Sequence, residues 1–240
     1  MRIVLLLAVL LSVTARGQEP PGDRVYNTII SEYTIAIPED HLIGSLPPSY
    51  TPAKTDEDKS SIIVFFSGAW LASHIDWYQP VLNNALQGIS VLIYFGHNQE
   101  MRQNKAKKAR ALWKGEHPYV DSIVTDDKEP NTGLYIINRV PHENSSWFLV
   151  PAVPDRSKPY PTGYSWDFLF CSREHPPPVI KNAEPYTTCT PRTEVNEDIA
   201  IEFSVRSENL RIKDRITSRV AAEIAQWITR RPDDHSGDRH

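Results

Sequence analysis

The sequence has very little cysteine, since Cys171 and Cys189 are the only two cysteines among 240 residues. A metal pair or a redox pair would need closer spacing or more ligands than these two residues supply. Histidine does not compensate, because the eight histidines are widely separated and form neither a His-Glu-x-x-His motif nor a helical i, i+4 pair. We therefore predict no metal site and no cofactor.

Recognisable catalytic motifs are also missing. The nearest approach to the Gly-x-Ser-x-Gly elbow of the α/β-hydrolases runs from Gly163 to Asp167 and lacks the second glycine. Glycine-rich phosphate loops and dinucleotide fingerprints are absent. We predict no catalytic residue. The enzymatic alternative is a secreted hydrolase that uses dispersed carboxylates, and the 30 acidic residues offer too many candidates to choose among.

The chain lacks an excess of basic residues. Lysine and arginine total 26 against 30 aspartates and glutamates, so the net charge is −4 at pH 7. Loss of residues 1–17 would remove Arg2 and Arg16 and no acidic residue, which takes the net charge to −6. This balance argues against nucleic acid or an anionic membrane surface as the main partner, since both favour a basic face.

The apolar run from Ile3 to Val13 is too short to anchor the chain in a bilayer, which takes about 20 residues. It follows Arg2 and precedes the small residues Ala15 and Gly17, an arrangement typical of a cleaved signal peptide. We predict that residues 1–17 are a signal peptide, with cleavage after Ala15 as an alternative. The protein is then periplasmic or secreted and has no stable membrane anchor.

The two cysteines bracket a single loop. In an oxidising compartment such a pair is most simply a disulfide. Clamping a loop of this length contributes about 3 kcal/mol in the chain-entropy treatment. We therefore predict one intramolecular disulfide, Cys171–Cys189.

Most of the chain consists of short apolar runs separated by turn residues, the pattern of β-strands. Because consecutive strands follow one another at short spacing, we expect antiparallel pairing. The predicted strands are Val25 to Ile37 (one strand or a bent pair), Ile62 to Phe66 (buried on both faces), Ile89 to Phe95, Tyr119 to Val124, Leu134 to Val140, Trp147 to Val153, Trp166 to Cys171 and Ile199 to Val205.

A long amphipathic helix is predicted from Ser207 to Arg230, with Ser207 or Asn209 as its cap, because apolar residues recur there at three- and four-residue steps. A basic surface helix is expected over Gln99 to Lys114, and a short helix over Asp76 to Leu86. The predicted fold class is α+β, a mainly antiparallel sheet with the C-terminal helix packed on it. Residues 18–231 are expected to form one domain, with two sub-lobes dividing near residue 115 as an alternative, and residues 232–240 a disordered tail.

Aromatic residues on a proline-stiffened loop are the best candidates for binding a partner. Tyr160 and Tyr164 lie in the segment from Arg156 to Trp166, where prolines reduce the entropy lost on binding. We predict these tyrosines as contact residues. Three acidic residues in a long proline-rich loop are predicted to steer a basic partner: Asp56, Glu57 and Asp58.

In its layout the chain resembles the periplasmic immunity proteins that neutralise bacterial type VI secretion effectors, especially lipase-type effectors. The resemblance lies in the loop from Cys171 to Cys189, the strand Ile199 to Val205 and the helix Ile212 to Trp227. It implies a stoichiometric inhibitor that blocks the active site of a toxic protein, for example a secreted phospholipase. It assigns no inhibitory residue.

Overall fold

The computed structural model describes residues 24–30, 32–42, 61–79, 81–82, 85–86, 88–96, 98–138, 146–161, 168–174 and 186–231. The predicted signal peptide and the predicted tail at residues 232–240 lie outside these ranges. The strands are β1 Val25–Ile30, β2 Tyr33–Pro38, β3 Ser61–Phe66, β4 Val81–Leu82, β5 Ala85–Leu86, β6 Ile89–Phe95, β7 Ile123–Lys128, β8 Tyr135–Asn138, β9 Ser146–Val150, β10 Leu169–Glu174, β11 Tyr186–Thr190, β12 Arg192–Glu194, β13 Ile199–Phe203, β14 Val205–Arg206 and β15 Ile228–Arg230. The α-helices are α1 Gly68–His74, α2 Asn98–Lys114 and α3 Lys213–Trp227, and 3₁₀ segments cover Glu39–His41 and Ser207–Ile212.

The strands form three main sheets, and every pairing in them is antiparallel. Their strand orders are β1-β2-β15, β12-β13-β6-β3 and β14-β11-β10-β9-β8-β7, while β4 and β5 pair with each other. The chain passes from the six-stranded sheet to the four-stranded sheet at Pro191 and returns at Ser204. The predicted α+β class, with mainly antiparallel sheets and a C-terminal helix, is confirmed.

The main core lies between α3 and the sheets. Ile216, Val220, Ile224 and Trp227 recur along one face of α3, and all four are buried. They belong to the same cluster as buried residues of β2, β6 and β13. Removing four such side chains from water contributes about 6–12 kcal/mol before the entropy of ordering them is subtracted.

The ends of the terminal helix differ from the prediction. The segment Ser207–Ile212 is 3₁₀ rather than α-helical, and neither Ser207 nor Asn209 caps α3, which has no side-chain cap. After Trp227 the backbone becomes extended, and Ile228–Arg230 pairs with β2. The β-branched pair Ile228-Thr229 suits a strand, so the predicted end at Arg230 was three residues too late.

Two further predictions near α1 were wrong. The strand β3 is buried on one face only, because it lies at the edge of its sheet and Ile63 is 53 % exposed. The helix predicted over Asp76 to Leu86 is not formed; instead α1 begins earlier, at Gly68, and the short strands β4 and β5 follow. Ser67 sets the earlier start by accepting a hydrogen bond from the backbone N–H of Trp70 at 3.1 Å.

A second buried cluster lies under α2, the predicted basic helix, which begins one residue earlier than predicted and spans Asn98–Lys114. Leu112 and Trp113 of α2 pack in this cluster with Tyr119 and Phe148. The strand predicted from Tyr119 begins only at Ile123, because Tyr119 is buried in a turn. The backbone carbonyl of Tyr119 accepts a hydrogen bond from Ser122 Oγ at 2.7 Å within that turn. A division near residue 115 stays a prediction; the main core contains residues from both sides of that position.

The predicted disulfide is present. Cys171 and Cys189 lie directly opposite each other on β10 and β11, with 4.0 Å between their Cα atoms. Both are fully buried in the main core. The bond fixes the register of β11, which in turn pairs with β14.

Candidate functional site

The turn that follows α1 carries the most unusual backbone among the described residues. Trp77 has a φ of 72°, and no other non-glycine residue in the described ranges has a positive φ. A large L-residue in this left-handed region costs about 1–2 kcal/mol. Strain of this kind persists only where the surrounding structure enforces it, and it concentrates at functional sites.

The side chain of Trp77 is also exposed. Its exposed fraction is 70 %, higher than that of any other large hydrophobic residue in the described ranges. The guanidinium carbon of Arg211 lies 5.8 Å from the centroid of the tryptophan ring, within the range of a cation–π contact. We call these two residues the Trp77 surface.

The segment around Trp77 is held from both sides. On the N-terminal side, Ile75 is buried, and its carbonyl accepts a hydrogen bond from the backbone N–H of Tyr78 at 3.2 Å. On the C-terminal side, Asn209 accepts from the backbone N–H of Gln79 at 2.7 Å and donates to its carbonyl at 2.8 Å. Asn209 is itself buried in the 3₁₀ segment, so these paired bonds attach the turn to a fixed support.

A cavity of about 280 Å³ opens next to this turn and is lined by strands of both the four-stranded and the six-stranded sheet. Its walls come from the turn, the start of β6, β11, β14, the 3₁₀ segment and α3. The lining residues are Tyr78, Gln79, Gly88, Ile89, Ser90, Tyr186, Thr188, Ser204, Val205, Arg206, Asn209 and Ile216. Arg206 is the one charged residue among these described lining residues.

Arg206 has no protein acceptor for part of its guanidinium group. Its guanidinium carbon lies 3.6 Å from the centroid of the Tyr186 ring, and its Nη1 is buried without a hydrogen-bond partner. Burial raises the pKa of Tyr78, another lining residue, to about 12, and the positive charge of Arg206 offsets part of that rise. Both tyrosines and the arginine therefore face a site with positive charge and no carboxylate in its described lining.

Carboxylates with a shifted pKa lie elsewhere, and each has a cationic partner. Hydrogen bonds from Ser157 and Lys158 lower the pKa of Asp155 to about 2. Paired hydrogen bonds from Arg102, both at 2.5 Å, lower the pKa of Glu194. A hydrolase acid needs the opposite direction, a raised pKa in a secluded pocket, so these two residues give the carboxylate-hydrolase alternative no support.

Tyr33 is the remaining group with a strongly shifted pKa. Burial, followed by the hydrogen bond that its hydroxyl donates to Asp198 at 2.6 Å, raises its pKa. The bond connects β2 to the start of β13, and the Tyr33 side chain packs in the main core. Its role is therefore structural, joining the three-stranded and four-stranded sheets.

Of the predicted contact residues, the described ranges include Tyr160 alone. It is half-buried. Its ring meets the ring of Trp113 edge-on, with 5.9 Å between the two centroids, and the guanidinium carbon of Arg110 lies 5.8 Å from the centroid of the Tyr160 ring. Through these contacts Tyr160 packs against α2. Its role in binding a partner stays a prediction. The other predicted contact residues, Tyr164, Asp56, Glu57 and Asp58, lie outside the described residues.

Sequence reasoning did not select Trp77 or Arg206. The run Trp77-Tyr78-Gln79-Pro80 does place aromatic residues before a proline, the same signal that pointed to Tyr160. A left-handed tryptophan has no signature in the sequence, however, and the support of its turn comes from Asn209, which lies 130 positions from Gln79. The lack of a hydrogen-bond partner at Arg206 Nη1 likewise depends on which residues surround it in the folded chain.

The described ranges contain no group of three or more side chains that could hold a metal ion. No helix in the described parts of the chain is both long and apolar enough to cross a bilayer. Comparison of the chain with models of protein families, with curated proteins and with solved structures also gave no match.

Proposed function

We propose that the protein is an exported protein-binding inhibitor of the immunity type, which blocks the active site of a toxic effector such as a phospholipase. The observation that carries the proposal is the Trp77 surface. Tryptophan and arginine are the residue types most enriched among the residues that dominate binding energy at protein interfaces. In Trp77 the aromatic ring is exposed and its backbone is already fixed.

The energy available at this surface is substantial. A tryptophan buries about 150–250 Å² when it is fully covered, and the ring of Trp77 is 70 % exposed in the free chain. Covering that area would contribute about 3–4 kcal/mol at 25 cal/mol per Å². Because the paired hydrogen bonds of Asn209 hold the turn, little further ordering is needed on binding.

The disulfide Cys171–Cys189 is compatible with an oxidising compartment, where an exported inhibitor would meet its target. The acidic net charge, −6 after loss of residues 1–17, would speed encounter with a basic partner. The predicted steering residues Asp56, Glu57 and Asp58 and the predicted anchors Tyr160 and Tyr164 would add to the same interface. Replacing the three acidic residues should slow association, and replacing the two tyrosines should weaken binding.

The test is neutralisation of a partner. The tagged protein is purified from its native host, its stoichiometric partner is identified by mass spectrometry, and the partner is then produced with and without the protein. We expect the partner to be toxic alone and harmless when the protein is present. Recovery of the protein without any stoichiometric partner, together with unchanged survival of a deletion strain beside toxin-producing neighbours, would contradict the proposal.

A further inference from the structure

We propose that the cavity beside Arg206 binds a small ligand in which a carboxylate or phosphate group is attached to an apolar or aromatic body. This site is separate from the Trp77 surface, and it stands whether or not the protein is an inhibitor. The proposal rests on the charge of the cavity, on the fixed position of the Arg206 guanidinium group against Tyr186 and on the composition of the walls.

The charge of the cavity is unbalanced. Arg206 carries the single formal charge among the lining residues, and no carboxylate of the described chain forms an ion pair with it. Arg192 and Arg219 also have a buried Nε without a hydrogen-bond partner, but each has a carboxylate beside it, Glu202 at 3.2 Å and Glu223 at 3.0 Å. A cation in a partly enclosed site without an acidic neighbour attracts an anion, because the low dielectric surroundings strengthen the interaction.

The guanidinium group of Arg206 is also oriented in advance. Stacking on the ring of Tyr186, at 3.6 Å, fixes the plane of the fork, while Nη1 is buried and has no protein acceptor. Arg206 lines the cavity, and its planar fork matches a carboxylate or phosphate that enters there.

The walls define the rest of the ligand. Ser90, Thr188 and Ser204 line the cavity, and a hydroxyl group can donate to an oxyanion. Ile89, Val205 and Ile216 add apolar surface, Tyr78 and Tyr186 add aromatic residues, and Gln79 and Asn209 are further polar lining residues. A cavity of about 150 Å³ is enough for benzene, so about 280 Å³ accommodates a ring together with a charged group.

The test uses three small probes: benzoate, phenyl phosphate, and benzamide as the neutral counterpart of benzoate. Each is titrated into the isotope-labelled full chain, and the dissociation constant is read from amide shifts in the NMR spectrum. We expect benzoate or phenyl phosphate to bind with a dissociation constant of about 10 mM or tighter, and benzamide to bind at least about tenfold more weakly. The shifted amides should include those of Thr188, Ser204 and Arg206.

Two arginine variants complete the test. Arg206→Gln should weaken benzoate binding by at least about tenfold, whereas Arg215→Gln, which removes the same charge at an exposed position outside the cavity lining, should change it less than about twofold. Response to benzoate alone, to phenyl phosphate alone or to both identifies which oxyanion the site takes. No saturable binding of either anion, equal binding of benzamide and benzoate, or equal loss in the two variants would overturn the proposal. If Arg206→Gln does not fold, the benzoate–benzamide comparison on the unchanged protein decides.

Discussion

Reduction of the Cys171–Cys189 disulfide should lower the free energy of unfolding by an amount that the structure fixes. The bond joins positions 18 apart in the chain, and closing a loop of that length removes about 3 kcal/mol of unfolded-state entropy. For a domain of this size, 3 kcal/mol corresponds to a fall in Tm of about 6–12 °C. Both cysteines are fully buried, so the native β10–β11 pairing is expected to persist after reduction.

The assay is urea unfolding of the oxidised and the reduced protein at the same pH, with free thiols counted in each sample. Reduced wild type is the primary comparison, because Cys171→Ala with Cys189→Ala also removes buried sulfur atoms and adds a cavity cost. The difference between the reduced protein and the double variant then measures packing alone. A reduced protein with two free thiols and an unfolding free energy within about 0.5 kcal/mol of the oxidised form would refute the loop-entropy reasoning.

Three further predictions concern the core, the turn support and the cavity. Ile224→Ala should lower the unfolding free energy by about 2–5 kcal/mol, while Ile63→Ala, at an exposed position, should change it by less than about 0.5 kcal/mol; similar urea midpoints would contradict the assigned core. Asn209→Ala should cost about 1–2 kcal/mol and speed amide exchange at Gln79, and unchanged exchange there would exclude the clamp. Because burial raises the pKa of Tyr78 from 10.0 to about 12, the unfolded state loses this proton first as the pH rises. The stability from this group is therefore complete below pH 10 and is lost toward pH 12, and Tyr78→Phe should flatten that part of the pH–stability curve; an identical curve would refute the assignment.

Most of the fold could be predicted from local patterns. Alternation and short spacing correctly indicated antiparallel strands, and the steps from Ile216 to Trp227 correctly indicated the core face of α3. The errors fall where distant contacts override local preference. Ile228–Arg230 continues a helical pattern but pairs with β2, and Asn209 resembles a cap but binds the backbone of Gln79.

The candidate site was much less predictable than the fold. Proline-flanked tyrosines are visible in a sequence, and of these Tyr160 packs against Trp113. The strain at Trp77 and the unpaired Nη1 of Arg206 both arise where segments far apart in the chain meet. Contacts between distant segments leave no periodic or compositional pattern in a single sequence, so local patterns could not predict a role for either residue.

The most direct test of the central claim is the affinity of the purified partner for two variants, each at an exposed apolar position. Trp77→Ala removes the proposed anchor, while Val120→Ala removes a side chain that is 54 % exposed on the turn after α2. Calorimetric titration with the purified partner should show that Trp77→Ala weakens binding by at least about 2 kcal/mol, or about 30-fold, and that Val120→Ala changes it less than about twofold. Equal dissociation constants for wild type and Trp77→Ala, with both proteins folded, would contradict a role for the Trp77 surface in binding.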